Sequence, residues 1–218
     1  MATRTGVLFL SLCVFSGAAS AQSSDRAGTW EFGVSLADFG GEDISGDGGS
    51  ALSIDNDLGF GFEVNYNLTS RFAVGGGLDF SSPDYQATRV VEGSNLVDKV
   101  SASLDVWTIH LKGTFYFTEG ALAPYVEAGA GWTSVDSNIA DGPPTTGCWW
   151  DPWWGYVCSS FYDTYSETRT SYSYGVGIRW EIADEFVVRA SYGPVEVDTE
   201  RGQDASLDVT RVEFAWRF

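Results

Sequence analysis

The sequence predicts an all-β fold: an eight-stranded antiparallel up-and-down β-barrel that crosses a membrane. The chain of 218 residues contains 26 glycines and 15% aromatic residues, more than a helical domain favours. Apolar and polar residues alternate in about eight segments, each near the length that a tilted strand needs to span a bilayer. Beyond the first residues no apolar run is long enough for a transmembrane helix, so a membrane protein of this composition is expected to be a barrel.

The first 21 residues have the features of a secretory signal. A basic residue, Arg4, precedes an apolar run at residues 7–15, and Ala19-Ser20-Ala21 supplies the small residues that a signal peptidase accepts. We therefore expect residues 1–21 to be removed and residues 22–218 to form one barrel domain.

The predicted strands follow one another along the mature chain. In the first of them Trp30, Phe32 and Val34 alternate with Glu31 and Gly33, and the later segments repeat that pattern. The segments lie near residues 30–37, 58–66, 71–80, 104–117, 124–134, 167–181, 185–195 and 206–218. Alternation alone also fits a soluble β-sandwich or a lipocalin-like barrel, so the identity of the two faces has to decide between them.

One face of the segments is bulky and apolar, and the other is small or charged. The small face carries most of the strand glycines: Gly33, Gly59, Gly61, Gly75, Gly77, Gly129, Gly131, Gly175, Gly177 and Gly193. A narrow membrane barrel turns its polar face inward, because hydrocarbon solvates only the apolar face, whereas a soluble barrel does the reverse. Glycine suits a crowded lumen, so we expect the bulky face to contact lipid. Gly76 and Gly113 lie on the bulky side and are not explained by this pattern.

The connections between the predicted strands alternate in length. Those after the second, fourth and sixth strands are short, near Thr69-Ser70, Glu119-Gly120 and Ala183-Asp184, and the others are long and polar. Outer-membrane barrels have short periplasmic turns and long external loops. We therefore expect both chain ends at the periplasm, and Cys148 and Cys158 outside the cell.

The last strand carries Phe214, Trp216 and Phe218 on its apolar face and ends the chain on an aromatic residue. With the signal sequence and the stretch APYVEAGAGW at residues 123–132, this ending resembles small eight-stranded outer-membrane barrels of the OmpA, OmpX, OmpW and opacity-protein kind. The resemblance implies the outer membrane of a Gram-negative bacterium, and recognition of Phe214, Trp216 and Phe218 by the barrel-assembly machinery. It implies no single activity, because these barrels have mixed functions.

Charged residues of the strands fall mainly on inward-facing positions. Those expected in the lumen are Glu31, Glu63, Arg71, Asp79, His110, Lys112, Glu127, Arg169, Arg179, Glu181, Arg189, Arg211, Glu213 and Arg217. Confined charges need partners or water, so the favoured interpretation is a salt-bridge network that plugs the barrel. The alternative is a narrow lumen that conducts small or apolar solutes, as an OmpW-like resemblance allows.

The external loops carry nearly all of the formal net charge of −18. They contain about 20 acids against three bases, Arg89, Lys99 and Arg201. Such a surface is expected to meet lipopolysaccharide through divalent cations, to attract cationic partners and to bind no nucleic acid. Residues 43–48 match the opening of an EF-hand loop, but Ile54 stands where a bidentate glutamate is needed. No metal or cofactor site is predicted.

The segment CWWDPWWGYVC, residues 148–158, places four tryptophans between two cysteines. Because Cys13 leaves with the signal, Cys148 and Cys158 are an even pair in an exported, oxidising setting, which predicts a disulfide. The candidate surface-binding residues are Trp149, Trp150, Trp153, Trp154 and Tyr156. They either pack on one another or at the lipid headgroups, or form an exposed platform for a sugar, a lipid or a host protein.

Catalysis is not expected. Some small outer-membrane barrels are lipid A deacylases or palmitoyltransferases, which combine a histidine with a serine. Here Lys112 stands two residues after His110, where a deacylase has serine. The pair Asp136-Ser137, which resembles that of a palmitoyltransferase, lies too far from His110 along the strands for a hydrogen bond. The sequence therefore favours a barrel that anchors loops for surface interaction or envelope integrity. A narrow pore and an adhesin that acts through the Cys148 to Cys158 loop stay open as alternatives.

Overall fold

The computed structural model describes residues 26–45, 51–90, 97–198 and 205–218. The expected signal sequence, Arg201 and the end of the calcium-like stretch at residues 46–48 lie outside these ranges. The strands are β1 Trp30–Phe39, β2 Glu42–Ser45, β3 Ala51–Ile54, β4 Asp57–Asn67, β5 Phe72–Ser81, β6 Asp84–Val90, β7 Val97–Tyr116, β8 Leu122–Ala140, β9 Thr145–Asp151, β10 Gly155–Phe161, β11 Thr164–Ala183, β12 Phe186–Val197 and β13 Ala205–Arg217. Within the described ranges, no helix is long and apolar enough to cross a membrane.

Eight strands form one closed antiparallel barrel, in the order β1, β4, β5, β7, β8, β11, β12 and β13. The pairing of β7 with β8 runs from Leu104 opposite Ser137 to Tyr116 opposite Tyr125. The last strand, β13, returns to pair with β1, which completes the ring. The predicted fold class is confirmed.

Side chains of the barrel strands alternate between an apolar outside and a polar inside. In β1, Trp30, Phe32 and Leu36 are exposed, while Glu31 and Ser35 are buried. The outward positions of the other barrel strands likewise carry exposed aromatic and aliphatic side chains. A bilayer solvates such a belt, so the polar groups that point inward have to satisfy one another.

The two ends of the barrel differ. At one end, which we call the turn end, residues 68–71, 117–121 and 184–185 make short connections. The start of β1 and the last residue of β13's segment meet there, since the backbone N–H of Trp30 donates to the carbonyl oxygen of Phe218 at 3.0 Å. We call the opposite end the loop end. There β7, β8 and β11 continue past the apolar belt, and so reach further than the alternation predicts.

Several of the long loops are themselves built from strands. β2, β3 and β6 extend the sheet at the loop end, and β9 pairs only with β10 in a separate two-stranded sheet. The sequence did not predict these strands, because both of their faces are polar or mixed. β2, for example, reads EDIS, and β6 reads DYQATRV, so neither has a continuous apolar face that would mark it as a strand.

Gly76 and Gly113, the exceptions to the face pattern, both lie on the outer wall of the barrel. A Cβ on Gly76 would come within 2.9 Å of the carbonyl oxygen of His110, so the close approach of β5 to β7 requires glycine there. A Cβ on Gly113 would lie 3.6 Å from the Phe72 ring, which is an ordinary contact. Nothing in the packing around Gly113 therefore explains its glycine.

Candidate functional site in the lumen and on the external hairpin

Buried ion pairs fill the half of the lumen nearer the turn end. Glu31 accepts hydrogen bonds from Arg179, at 2.6 Å, and from Arg189. Arg179 also donates to Glu181 at 2.5 Å, and Arg189 donates to Glu213 at 2.5 Å. All five residues are buried, so each charge is held by an opposite charge rather than by bulk water.

The strand register explains why Glu31 is central to this network. Arg179 on β11 lies directly opposite Arg189 on β12, an arrangement of like charges that is destabilising by itself. Glu31, on β1, accepts from both guanidinium groups and so offsets their repulsion. Arg217 extends the network by donating to Glu181 at 3.1 Å.

A second cluster in the lumen is centred on Glu63. The Lys112 Nζ atom contacts Glu63 at 2.5 Å and Glu127 at 3.2 Å. Arg211 donates to Glu63 at 3.1 Å and to Asp79 at 2.7 Å. Glu63 lies on β4, and the other four residues of the cluster lie on β5, β7, β8 and β13, so the cluster ties strands on different sides of the barrel.

Glycines on the inward face make room for these long side chains. A Cβ on Gly77 would lie 3.1 Å from both Glu63 Cγ and His110 Cε1, and 2.7 Å from the carbonyl oxygen of Phe62. A Cβ on Gly129 would lie 3.1 Å from Lys112 Cβ and 2.8 Å from a backbone oxygen. The inward glycines are therefore what allows charged side chains to fill so narrow a lumen.

His110 borders a small cavity beside the Glu63 cluster. Its Nδ1 atom lies 3.4 Å from Asp79, and its Nε2 atom lies 3.9 Å from Glu63. The cavity has a volume of about 50 Å³ and is also lined by Ser171 and Ser191. That volume suits a few water molecules, which would satisfy Asp79 Oδ1 and His110 Nε2, buried atoms with no hydrogen-bond partner among the described residues.

Arg71 was expected in the lumen and lies outside it. It occupies the turn before β5, its side chain is 55% exposed, and it pairs with Glu119 of the neighbouring turn at 2.7 Å. The prediction was wrong because it extended the alternation one residue beyond the start of the strand. Arg169 lies further towards the loop end, on β11, where it pairs with Glu167 of the same strand.

Arg26 closes the turn end of the barrel, a position that the strand alternation does not predict. The residue is 1% exposed, and its guanidinium donates to the carbonyl oxygens of Thr118, at 3.3 Å, and Gly120, at 3.2 Å. The same group lies over the ring of Tyr116, 4.9 Å from the ring centre. Because Arg26 precedes the first strand, no alternation marks its position.

Cys148 and Cys158 form a disulfide between β9 and β10, which confirms the prediction. They lie directly opposite each other in the hairpin, and Trp150 and Tyr156 form the next pair on the same face. The candidate surface-binding residues have side chains that are between 44% and 82% exposed; they are Trp149, Trp150, Trp153, Trp154 and Tyr156. The hairpin therefore does not bury these aromatic side chains in a core.

The residues weighed for catalysis are separated. His110 lies opposite Gly131 on β8, five residues or about 16 Å of strand from Asp136. The Ser137 hydroxyl donates to the carbonyl oxygen of Tyr165 at 3.1 Å. His110 and Ser137 thus belong to different hydrogen-bonded groups, one in the lumen and one near the loop end.

Comparison with known proteins assigns the family. The model of the outer membrane protein beta-barrel domain matches residues 7–218. The chain belongs to this family. The resemblance inferred from the sequence is thereby confirmed. No curated protein matches the chain.

Solved structures show the same fold in bacterial outer-membrane proteins. OprG from Pseudomonas aeruginosa is 15% identical, with a TM-score of 0.55 over 90% of this chain and 98% of OprG. Ail of Yersinia pestis, solved with the heparin analogue sucrose octasulfate, is 17% identical, with a TM-score of 0.50 over 88% of this chain and 99% of Ail. Outer Membrane Protein W of E. coli is 18% identical, with a TM-score of 0.48 over 88% and 98% of the two chains. At these identities the likeness to OprG and Ail concerns the fold alone.

Proposed function

We propose that this outer-membrane barrel is closed to solutes and serves to hold its acidic loops at the cell surface, for surface interaction or envelope integrity. The turn end, with both chain termini, faces the periplasm in this proposal, and the loop end faces the outside. The role is not catalytic. The barrel acts as an anchor, and the functional surfaces are those beyond the membrane.

The observation that carries the proposal is that two clusters of buried ion pairs, around Glu31 and around Glu63, occupy the lumen. Separating a buried pair leaves an uncompensated charge and costs about 3 to 5 kcal/mol, so the side chains have no low-energy way to move aside for a solute. The pairs also join strands from different sides of the barrel, such as β1 to β11 and β12 through Glu31. Arg26 adds a further obstruction at the turn end.

Two partners follow from the proposal. The acidic loops would meet the phosphates of lipopolysaccharide through divalent cations, because direct contact between like charges is repulsive. The C-terminal strand would be the part that the barrel-assembly machinery recognises. Phe218 supports this role by its position, since its N–H donates to the carbonyl oxygen of Trp30 at 2.8 Å and its ring lies 5.8 Å from that of Phe32, at the seam where the barrel closes.

Planar-bilayer recording tests the closed lumen. Purified, folded protein is expected to give no reproducible conductance steps. A variant with alanine in place of Arg26, Glu31, Lys112, Arg179, Arg189 and Arg211, shown to be folded by heat-modifiable migration on a gel, removes obstructing side chains from both clusters and from the turn end and serves as the positive control. Reproducible steps from the unaltered protein, similar to those of this variant, would overturn the proposal.

A second candidate function is a narrow pathway for apolar solutes, and one observation favours it. A further cavity of about 50 Å³ at the loop end is lined largely by apolar side chains, among them Phe39, Ile54, Val106, Val195 and Leu207. Vesicles that contain the protein and an enclosed hydrophobic dye acceptor would separate the two functions. Faster dye entry than in protein-free vesicles supports the pathway, and an equal rate supports the closed barrel.

A further inference from the structure

The tip of the β9–β10 hairpin displays large aromatic side chains that the fold does not use. Trp153 is 82% exposed and Trp154 is 79% exposed, and the pair formed by Trp150 and Tyr156 is also largely exposed. Apolar surface of this size on a soluble protruding element usually marks a contact site. We call these four residues the aromatic tip.

Trp149 does not belong to the aromatic tip. It lies on the opposite face of the hairpin, where its ring packs against Phe161 with 5.7 Å between ring centres. The space for this contact comes from Gly147, because a Cβ there would meet the Phe161 ring at 2.8 Å. Trp149 thus stabilises the hairpin, which leaves the other aromatic residues to face outward.

The turn holds Trp153 and Trp154 in a fixed arrangement. Asp151 Oδ1 accepts hydrogen bonds from the backbone N–H groups of Trp153, at 2.8 Å, and Trp154, at 3.0 Å. Gly155 follows with φ of 78°, a left-handed conformation that favours glycine and returns the chain into β10. Together with the disulfide, these contacts fix the backbone before any partner arrives, which lowers the entropy lost on binding.

The hairpin begins well beyond the apolar belt of the barrel. On β8, Trp132 is an exposed outward residue, and the strand continues for eight residues, about 26 Å, to Ala140 before β9 begins. β11 pairs with this extension from Thr164 onward. The hairpin that carries the aromatic tip is therefore connected to the barrel at a point beyond the apolar belt, on the loop end.

Charge narrows the chemistry of the partner. From residue 140 to residue 167 the chain contains Asp141, Asp151, Asp163 and Glu167 but no lysine or arginine. An anionic partner would be repelled and would find no cation to bind. Tryptophan faces and nearby carboxylates instead favour a quaternary ammonium group, which is attracted to the aromatic ring quadrupole.

We propose that the aromatic tip inserts into the headgroup layer of an apposed zwitterionic bilayer that carries choline lipids. This inference rests on the proposed function, since it names the partner of a barrel that acts through its loops. Tryptophan is most favourable at the level of lipid headgroups, where its ring is desolvated and its N–H stays hydrogen-bonded. A convex tip with two adjacent tryptophans suits a fluid layer that closes around it, whereas a sugar or peptide is better held by a concave surface.

Flotation with lipid vesicles tests the proposal. The full-length folded protein, held in amphipathic-polymer particles, is mixed with vesicles of phosphatidylcholine or of phosphatidylglycerol and centrifuged through a density gradient. We expect the protein to float with phosphatidylcholine and to bind phosphatidylglycerol at least about tenfold more weakly. Vesicles with brominated acyl chains should quench part of the tryptophan fluorescence only in the first case.

Matched variants identify the residues responsible. Replacing both tip tryptophans, Trp153→Ala with Trp154→Ala, is expected to weaken binding by about tenfold or more. Replacing Tyr162→Ala with Tyr165→Ala removes two exposed aromatic residues at the base of the same loop and should change binding by less than about twofold. Each variant is first shown to keep its heat-modifiable barrel and its disulfide.

The outcomes separate the inference from the function on which it rests. Equal binding to phosphatidylglycerol, or unchanged binding after loss of Trp153 and Trp154, would overturn the bilayer proposal. So would tryptophan-dependent binding to a glycan or protein without binding to vesicles, although that result would leave a surface-acting barrel intact. Conductance by the unaltered protein would instead count against the proposed function itself, whatever the vesicles show.

Discussion

Replacing Glu31 by glutamine probes the lumen network at its centre. The carboxylate is fully buried and accepts from Arg179 and Arg189, which lie directly opposite each other on β11 and β12. Without the negative charge, two buried guanidinium groups face each other with one fewer partner. Loss of one member of a buried pair costs about 3 to 5 kcal/mol. Glutamine keeps one hydrogen bond, which returns about 1 kcal/mol, so we expect a loss of about 2 to 4 kcal/mol.

Urea unfolding of the protein in lipid vesicles, followed by tryptophan fluorescence, measures this loss. The double variant Glu31→Gln with Arg189→Gln should recover part of it, with a coupling energy of about 1 kcal/mol or more in a double-mutant cycle. Glu119→Gln is the matched control, because its pair with Arg71 is more than half exposed, and it should change stability by less than about 0.5 kcal/mol. A Glu31→Gln effect no larger than that of the control would refute the assignment of the network as structural.

Three further predictions follow from the same contacts. Arg26→Ala should lower the thermal midpoint of the heat-modifiable transition, because it removes a cation–π contact with the Tyr116 ring and the hydrogen bonds to two carbonyl oxygens; an unchanged midpoint would show that the arginine is dispensable. Gly77→Ala should destabilise by about 1 to 3 kcal/mol in urea unfolding, whereas Gly113→Ala should be tolerated; the reverse order would contradict the account of the crowded inner face. Replacing both hairpin cysteines by serine should speed protease cleavage within the hairpin and leave the barrel intact, and loss of barrel folding would show that the disulfide supports more than the hairpin.

The barrel and most of its lumen could be predicted because one physical rule governs both faces. Hydrocarbon accepts only apolar side chains, so a period of two places Glu31, Glu63 and Arg189 inside without any knowledge of the structure. The same rule misplaced Arg71, since alternation does not show where a strand begins. It gave no sign of Arg26, which lies before the first strand and is buried only because the chain folds back under the barrel.

The loop end was less predictable for a related reason. Outside the bilayer neither face of a strand has to be apolar, so the extensions of β7, β8 and β11 leave no periodic signal in the sequence. The disulfide was an exception, because an even pair of cysteines in an exported chain is informative by itself. The division between Trp149, packed on Phe161, and the exposed Trp153 and Trp154 required the hairpin register and the turn geometry.

Single-channel recording in planar bilayers tests whether the ion pairs close the lumen. We expect a flat current from the unaltered folded protein, and reproducible conductance steps once Arg26, Glu31, Lys112, Arg179, Arg189 and Arg211 are replaced by alanine. Stable steps of similar size from both proteins would contradict this expectation, because they would show that solutes and ions pass the lumen with the network in place.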